Sequence, residues 1–315
     1  MQYKFSLIFS SIYVTIVLYD IIPNDIVIYL LLAIVAALGI AGIGYLLNDW
    51  KDYDDDLKNN KSNLFLKLNK FQALALIISA ISTAILPWLY LPFTQISLVL
   101  LILELLLFVL YALPPFRWKE RGILGIICDS LYAQLIPCIF AVYTFAYLGK
   151  VSYSISALNV IYILWLFVVG VRNIIIHQIY DYHNDIATDN RTFVVTKGLQ
   201  PIIKFYLQFG FIAEIILFLY LLIHIPCTHH VLIIIYFAYL SIIMFINRKT
   251  VKEDIFGFIH KRFLNEFYEI FLPLILVLIF TYYNINFYKI MIFNILLFMP
   301  IYKNYILSFA KKYIS

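Results

Sequence analysis

Long apolar stretches almost free of charge recur along the chain at about 3–22, 26–47, 71–91, 95–112, 122–148, 155–176, 202–225, 229–246, 266–283 and 287–306. Each is near the ~20 residues with which a helix crosses roughly 30 Å of hydrocarbon. Runs such as Leu30 to Ala41 do not alternate polar and apolar positions, as the strands of a membrane β-barrel would. The pattern predicts an all-α polytopic membrane protein with nine or ten transmembrane helices. Charged residues break the runs at short loops, and no Gly/Ser linker or Pro-rich tract divides the chain, so residues 1–315 read as one transmembrane domain.

Composition agrees: 64% of the 315 residues are hydrophobic and 13% charged, more apolar surface than a soluble core of this length could bury. Only Lys4 precedes the first run and no small-residue cleavage pattern follows it, so a retained helix is expected rather than a signal peptide. Cys128, Cys138 and Cys227 are odd in number and the first two fall within spans, which gives no disulfide framework.

A net charge of +5 would suit an anionic partner such as nucleic acid, but its distribution has another cause. Lys51, Lys58, Lys61, Lys67, Lys70, Arg117, Lys119, Arg121, Arg191, Lys197, Arg248, Lys249, Lys252, Lys261 and Arg262 sit in loops after the second, fourth, sixth and eighth runs, whereas the opposite loops hold Lys150 and Lys289. The positive-inside rule then puts the basic loops on the cytoplasmic side of an inner or plasma membrane, and no nucleic-acid partner is implied. Lys303, Lys311 and Lys312 join that side if the last run spans, which favours ten helices.

Eight of the twelve aspartates lie in two of these basic-side loops, Asn48 to Asp56 and Asp181 to Asp189. On a helix, steps of four residues drift by only about 40°, so Asn48, Asp52 and Asp56 form one stripe and Asp181, Asp185 and Asp189 another, which Asn173 and His177 extend. Close like charges repel by about 4 kcal/mol at an effective dielectric near 20, so such stripes at a membrane mouth call for a cation. Oxygen donors select a hard ion, and Mg²⁺ characteristically shares its shell among one or two carboxylates, water and substrate phosphates. The implied ligand is a Mg²⁺–diphosphate.

Between the two clusters, Tyr111 to Gly122 sets Arg117, Lys119 and Arg121 beside the rigid Pro114-Pro115 turn. These cations suit diphosphate oxygens as charge develops on a leaving group, although ordinary positive-inside topology would also place them there.

The motif N-D-x-x-D-x-x-x-D at Asn48, Asp49, Asp52 and Asp56, with D-x-x-x-D at Asp181 and Asp185, resembles the UbiA superfamily of intramembrane prenyltransferases. The order agrees, and Tyr111…Pro114-Pro115-x-Arg117-x-Lys119 resembles its chlorophyll-synthase and tocopherol-type branch. The resemblance implies two Mg²⁺ ions on a prenyl diphosphate, one held by Asn48, Asp52 and Asp56, the other by Asp181 and Asp185. It also implies substrate contacts from Asn48, Tyr111, Arg117, Lys119 and Arg121, with Asp52, Asp185, Arg117 and Lys119 in the catalytic role. The expected architecture is a central lipid-open cavity for the isoprenoid tail, and the expected partners are the prenyl diphosphate, membrane lipid and a small lipophilic or aromatic acceptor. Many members carry Arg-Pro shortly after the first motif, where this chain has Lys61-Ser62-Asn63.

Other readings remain open. A UbiA-type terpene cyclase, or transfer to a non-aromatic acceptor, would use the same residues. A divalent-cation transporter would also gather carboxylates, though near the membrane midplane and away from cations. Glu104, Asp129 and Glu214 fall inside spans, where an ionised acid costs roughly 2.5–3.5 kcal/mol, so each needs a partner or a polar cavity, with Asp129 the first choice to line one. His224, Cys227, His229 and His230 have the residue types of a zinc site but not its usual spacing. Asn265 to Glu269 has no assigned role.

Overall fold

In the computed structural model, which describes residues 4–58, 62–151, 156–188, 190–225, 230–247 and 254–313, the described residues form helices and connecting turns with no strand. Among the described residues eight helices are long and apolar enough to cross a membrane: α2 (Ile26–Lys51), α3 (Lys70–Leu89), α4 (Gln95–Ala112), α5 (Ile123–Leu148), α6 (Ala157–Ala187), α7 (Leu199–His224), α9 (Ile255–Tyr283) and α10 (Ile285–Leu307). Two apolar helices are shorter, α1 (Lys4–Leu18) and α8 (Val231–Ile246). At about 1.5 Å per residue these two reach only some 22–24 Å. The first run stops early because Asp20 takes a left-handed conformation at φ 50° and Pro23 follows.

Helix starts follow local chemistry. Asn69 and Gln72 form a reciprocal capping box at the head of α3, Thr94 caps α4 through the Ser97 amide, and Ser156 caps α6 through the Asn159 amide. Each satisfies amides that the first helical turn leaves without partners. Among the described residues, π-helical turns interrupt the long helices at Leu131–Leu135 in α5, Tyr206–Gly210 in α7, and Ile259–Asn265 with Phe267–Phe271 in α9.

The chain forms two compact units. One draws on Ile28–Thr144 and Ser154–Leu217 and contains both acidic motifs. Its α2 to α5 side packs Ile40, Ala84, Phe108 and Phe140, with Trp88 stacked on Phe140 at 4.7 Å. A second cluster of Ile126, Ile174, Ile175, Val194 and Ile202 ties α5 and α6 to the start of α7. A Cβ on Gly170 of α6 would come within 2.8 Å of the Ser130 backbone, so only glycine permits this approach of α6 to α5. The other unit comprises the described residues of Met1–Val27, Phe145–Tyr153 and Phe218–Ser315. Its core is aromatic, built from Phe218, Tyr236, Phe267 and Tyr268, and the Asn294 amide donates to the Tyr13 hydroxyl at 3.1 Å while accepting from Tyr302 at 2.9 Å.

Candidate active site

The first acidic stripe survives a break in the helix. α2 ends at Lys51 and a short helix resumes over Tyr53–Lys58, yet the Asp52 amide still donates to the Asn48 carbonyl at 2.9 Å and the Asp56 amide to Asp52 at 2.8 Å. Asn48, Asp52 and Asp56 therefore keep their four-residue register and are partly buried, while Asp54 is exposed. Asn63, 2% exposed, fastens the chain back onto this stripe. Its side-chain amide donates to the Asp49 carbonyl at 2.7 Å and to the Asp56 carboxylate at 2.8 Å, and the Leu64 amide donates to the Asp49 carboxylate at 3.1 Å. Sequence reading treated Asn63 only as part of a departure from the family pattern; the structure gives it a positioning role. Asn63→Ala should remove two hydrogen bonds to the partly buried Asp49 carbonyl and Asp56 carboxylate, costing on the order of 1 kcal/mol locally. Limited proteolysis should then cut faster between the short helix and α3.

The basic turn meets this stripe at Asp52. Lys119 Nζ donates to both Asp52 oxygens, at 2.7 and 2.6 Å, and the Arg117 guanidinium lies 3.6 Å away while also pairing with Glu120. Arg117 adopts φ 37°, a left-handed conformation that costs a non-glycine residue of order 1–3 kcal/mol and that clusters at functional sites. The turn is seated by Gly125, where a Cβ would meet the Trp118 carbonyl at 2.7 Å. Arg121 is directed elsewhere, donating to the Pro115 carbonyl at 2.6 Å. Tyr111 stands behind the turn, its ring edge-on to Tyr132 at 5.2 Å, and the Tyr132 hydroxyl donates to Asp129 at 2.7 Å.

The second stripe lies at the end of α6. Asp185, 9% exposed, accepts from the Thr192 hydroxyl at 3.1 Å, and its carbonyl accepts from the Asn190 amide at 2.9 Å. Asp181 is more open and lies 3.5 Å from His177. Gln178 accepts from the Val194 amide at 3.2 Å, tying the following segment back to α6. Asp189 falls outside the described residues.

Among the described residues no three His, Cys, Asp or Glu side chains converge as a complete protein cage for a metal. The donors present are carboxylate and amide oxygens on helix ends. They fit Mg²⁺, which needs only one or two carboxylates when water and phosphate complete the shell.

Other residues singled out by sequence sort differently. Glu214 is fully buried and paired with Arg172, whose Nε lies 2.9 and 3.1 Å from its two oxygens. Sequence reading missed Arg172; the available signal was a lone arginine inside an otherwise apolar run. Glu104 is buried in α4. His224 Nδ1 is 2.8 Å from the Tyr220 carbonyl and its ring stacks on Tyr220, whereas Cys227 and His229 lie outside the described residues. Within Asn265 to Glu269, Glu266 accepts from the Tyr239 hydroxyl at 3.4 Å.

The apolar helices, with acids and bases gathered at helix ends, define an integral membrane protein with a polar site at the ends of its helices. The chain matches the UbiA prenyltransferase family over residues 8–267 and belongs to that family. Its fold is similar to that of a UbiA homologue from Archaeoglobus fulgidus, solved with GPP and Mg²⁺ bound, at a TM-score of 0.51 and 16% identity over 70% of this chain and 77% of that one. No curated protein matches the chain.

Proposed function

We propose that this chain transfers the prenyl group of a prenyl diphosphate to a small lipophilic acceptor bearing an aromatic ring, with two Mg²⁺ ions. The observation that carries the reading is the meeting of Lys119 and Arg117 at Asp52, which joins the basic turn to the first acidic stripe. An anion that carries metal has use for both signs of charge, whereas a bare cation would be repelled by the same lysine and arginine. The GPP and Mg²⁺ of the Archaeoglobus fulgidus homologue support the same choice of ligands.

In this reading Asn48, Asp52 and Asp56 hold one ion and Asp181 and Asp185 the other. Bound there, Mg²⁺ supplies charge stabilisation for the departing diphosphate. Lys119 and Arg117 add hydrogen bonds that strengthen as negative charge grows on the leaving oxygen. Tyr111 borders the prenyl carbon, where an aromatic face favours developing positive charge. The excess of basic residues in these loops supports an orientation with the site on the cytoplasmic side of the cell membrane.

The test is an assay of the purified chain with prenyl diphosphates of graded length and a panel of phenolic acceptors, products being identified by mass. EDTA should abolish product formation, and Mg²⁺ or Mn²⁺ should restore it more fully than Zn²⁺, because the donors are oxygens. Full activity in chelator would remove the metal from the reading, and cyclic hydrocarbon formed without acceptor would replace transfer by cyclisation.

A further inference from the structure

A carboxylate outside both acidic stripes, Asp129, is hydrogen-bonded to one of the aromatic side chains that pack with Trp118 of the basic turn. Asp129 sits in α5, roughly 9 Å along the helix from Ile123 at about 1.5 Å per residue. It is half-buried and receives the Tyr132 hydroxyl at 2.7 Å. Five features join it to the candidate active site.

Tyr132 lies edge-on to Tyr111 at 5.2 Å and to Phe108 at 5.1 Å, so the three rings form one wall. Tyr111, Tyr132 and Trp118 of the basic turn all pack against one cluster of Leu107, Cys128 and Ile136. Tyr132 also packs on the Ile40, Ala84, Phe108 and Phe140 cluster that receives Leu47, the residue before Asn48. A π-helical turn, Leu131–Leu135, begins two residues after Asp129, and such turns recur at functional sites. Asp129 also lies one helical turn beyond Gly125, on the face of α5 that seats the Lys119 turn.

We propose that Asp129 is the acceptor-side catalytic residue: it accepts the hydroxyl proton of a phenolic acceptor lying against Tyr111 and Tyr132, with Tyr132 holding its carboxylate in place. This rests on the prenyl-transfer reading and adds the acceptor's chemistry to it. The C–O bond to the diphosphate breaks and its electron pair leaves on the diphosphate. The electron pair of the phenol O–H bond feeds the ring, a ring carbon forms the new bond to the prenyl carbon, and the hydroxyl proton passes to Asp129. The resulting dienone loses its ring proton to water and regains a proton on oxygen from Asp129. The net products are the prenylated phenol, diphosphate and one proton.

The experiment uses the full chain in detergent with geranyl diphosphate, Mg²⁺ and a set of hydroquinones and phenols, each paired with its methyl ether, on wild type, Asp129→Asn, Asp129→Glu and Tyr132→Phe. Diphosphate release without acceptor is measured alongside prenylated product. Asp129→Asn should lower kcat for transfer at least a hundredfold, with the KM for geranyl diphosphate and the acceptor-free release within threefold of wild type. Asp129→Glu should recover at least a tenth of the transfer rate, Tyr132→Phe should lower it about tenfold, and the methyl ethers should react poorly with every form.

Wild-type transfer rates in Asp129→Asn would overturn the proposal. So would equal loss of release and transfer, equal reaction of phenols and ethers, or diphosphate release by wild type with no phenol prenylated. A wild type that releases no diphosphate with any prenyl diphosphate would instead overturn the prenyl-transfer reading itself.

Discussion

Asp52→Asn and Asp185→Asn should each lower turnover by about a hundredfold or more, equivalent to roughly 2.7 kcal/mol of lost transition-state stabilisation. Asparagine keeps the shape of aspartate but gives up the charge that a hard cation requires. Asp52 stands at the meeting of Lys119 and Arg117, so its neutralisation also removes the group that holds the basic turn. Its partners are partly open to water, so folding stability should change by no more than about 1 kcal/mol. Asp54→Asn is the internal control. Asp54 points away from the stripe and is exposed, and its variant should stay within about twofold of wild type, since surface changes of this kind are usually small. Steady-state rates on the variants, with thermal melting in the same detergent, make the comparison. Equal damage from Asp54→Asn would contradict the four-residue register of Asn48, Asp52 and Asp56.

The second large effect is on stability. Arg172 and Glu214 are 1% and 0% exposed, and their pairing lies within two apolar helices. Arg172→Met should leave an acid buried without its counter-charge, destabilising the chain by about 3–5 kcal/mol. Arg172→Met combined with Glu214→Gln should recover most of that loss, because the remaining cost is one neutral polar group. Melting of the four members of this double-mutant cycle isolates the pair. A single variant as stable as wild type would mean that the remaining charge reaches water or another partner.

Much of the helix layout was legible because hydrocarbon is an unforgiving solvent: every span must be apolar over a whole membrane thickness, so charges mark the ends. The apolar runs foretold the helices, including the short one that ends near Ile246. The first run was read four residues too far, since Tyr19 to Ile22 are mostly apolar and only the backbone at Asp20 reveals the stop. The first acidic stripe was legible in its spacing because α-helical hydrogen bonds bridge the break at Asp52. Less could be read of what surrounds it. Lys119 reaches Asp52 across a sequence separation of 67, and Arg121 turns to Pro115 although its charge and neighbourhood match those of Lys119. Charge attracts at a distance, but the backbone of the turn decides which side chain arrives. Asn63 was hidden for a different reason: an uncharged amide carries no pattern until the chain folds back on Asp49 and Asp56.

The π-helical turn at Tyr206–Gly210 has a bearing on how α7 varies between relatives. Such a turn amounts to one residue inserted into a regular helix, so positions beyond it are rotated by about 100° relative to a wheel drawn from Leu199. Glu214 lies just past that shift, and its face is set by the inserted residue as much as by its own place in the chain. A relative lacking one residue between 206 and 210 would carry any acid at this point on a different face of α7. Gap placement in this short interval therefore foretells which relatives keep the pairing with Arg172 and which must fill its place with an apolar side chain.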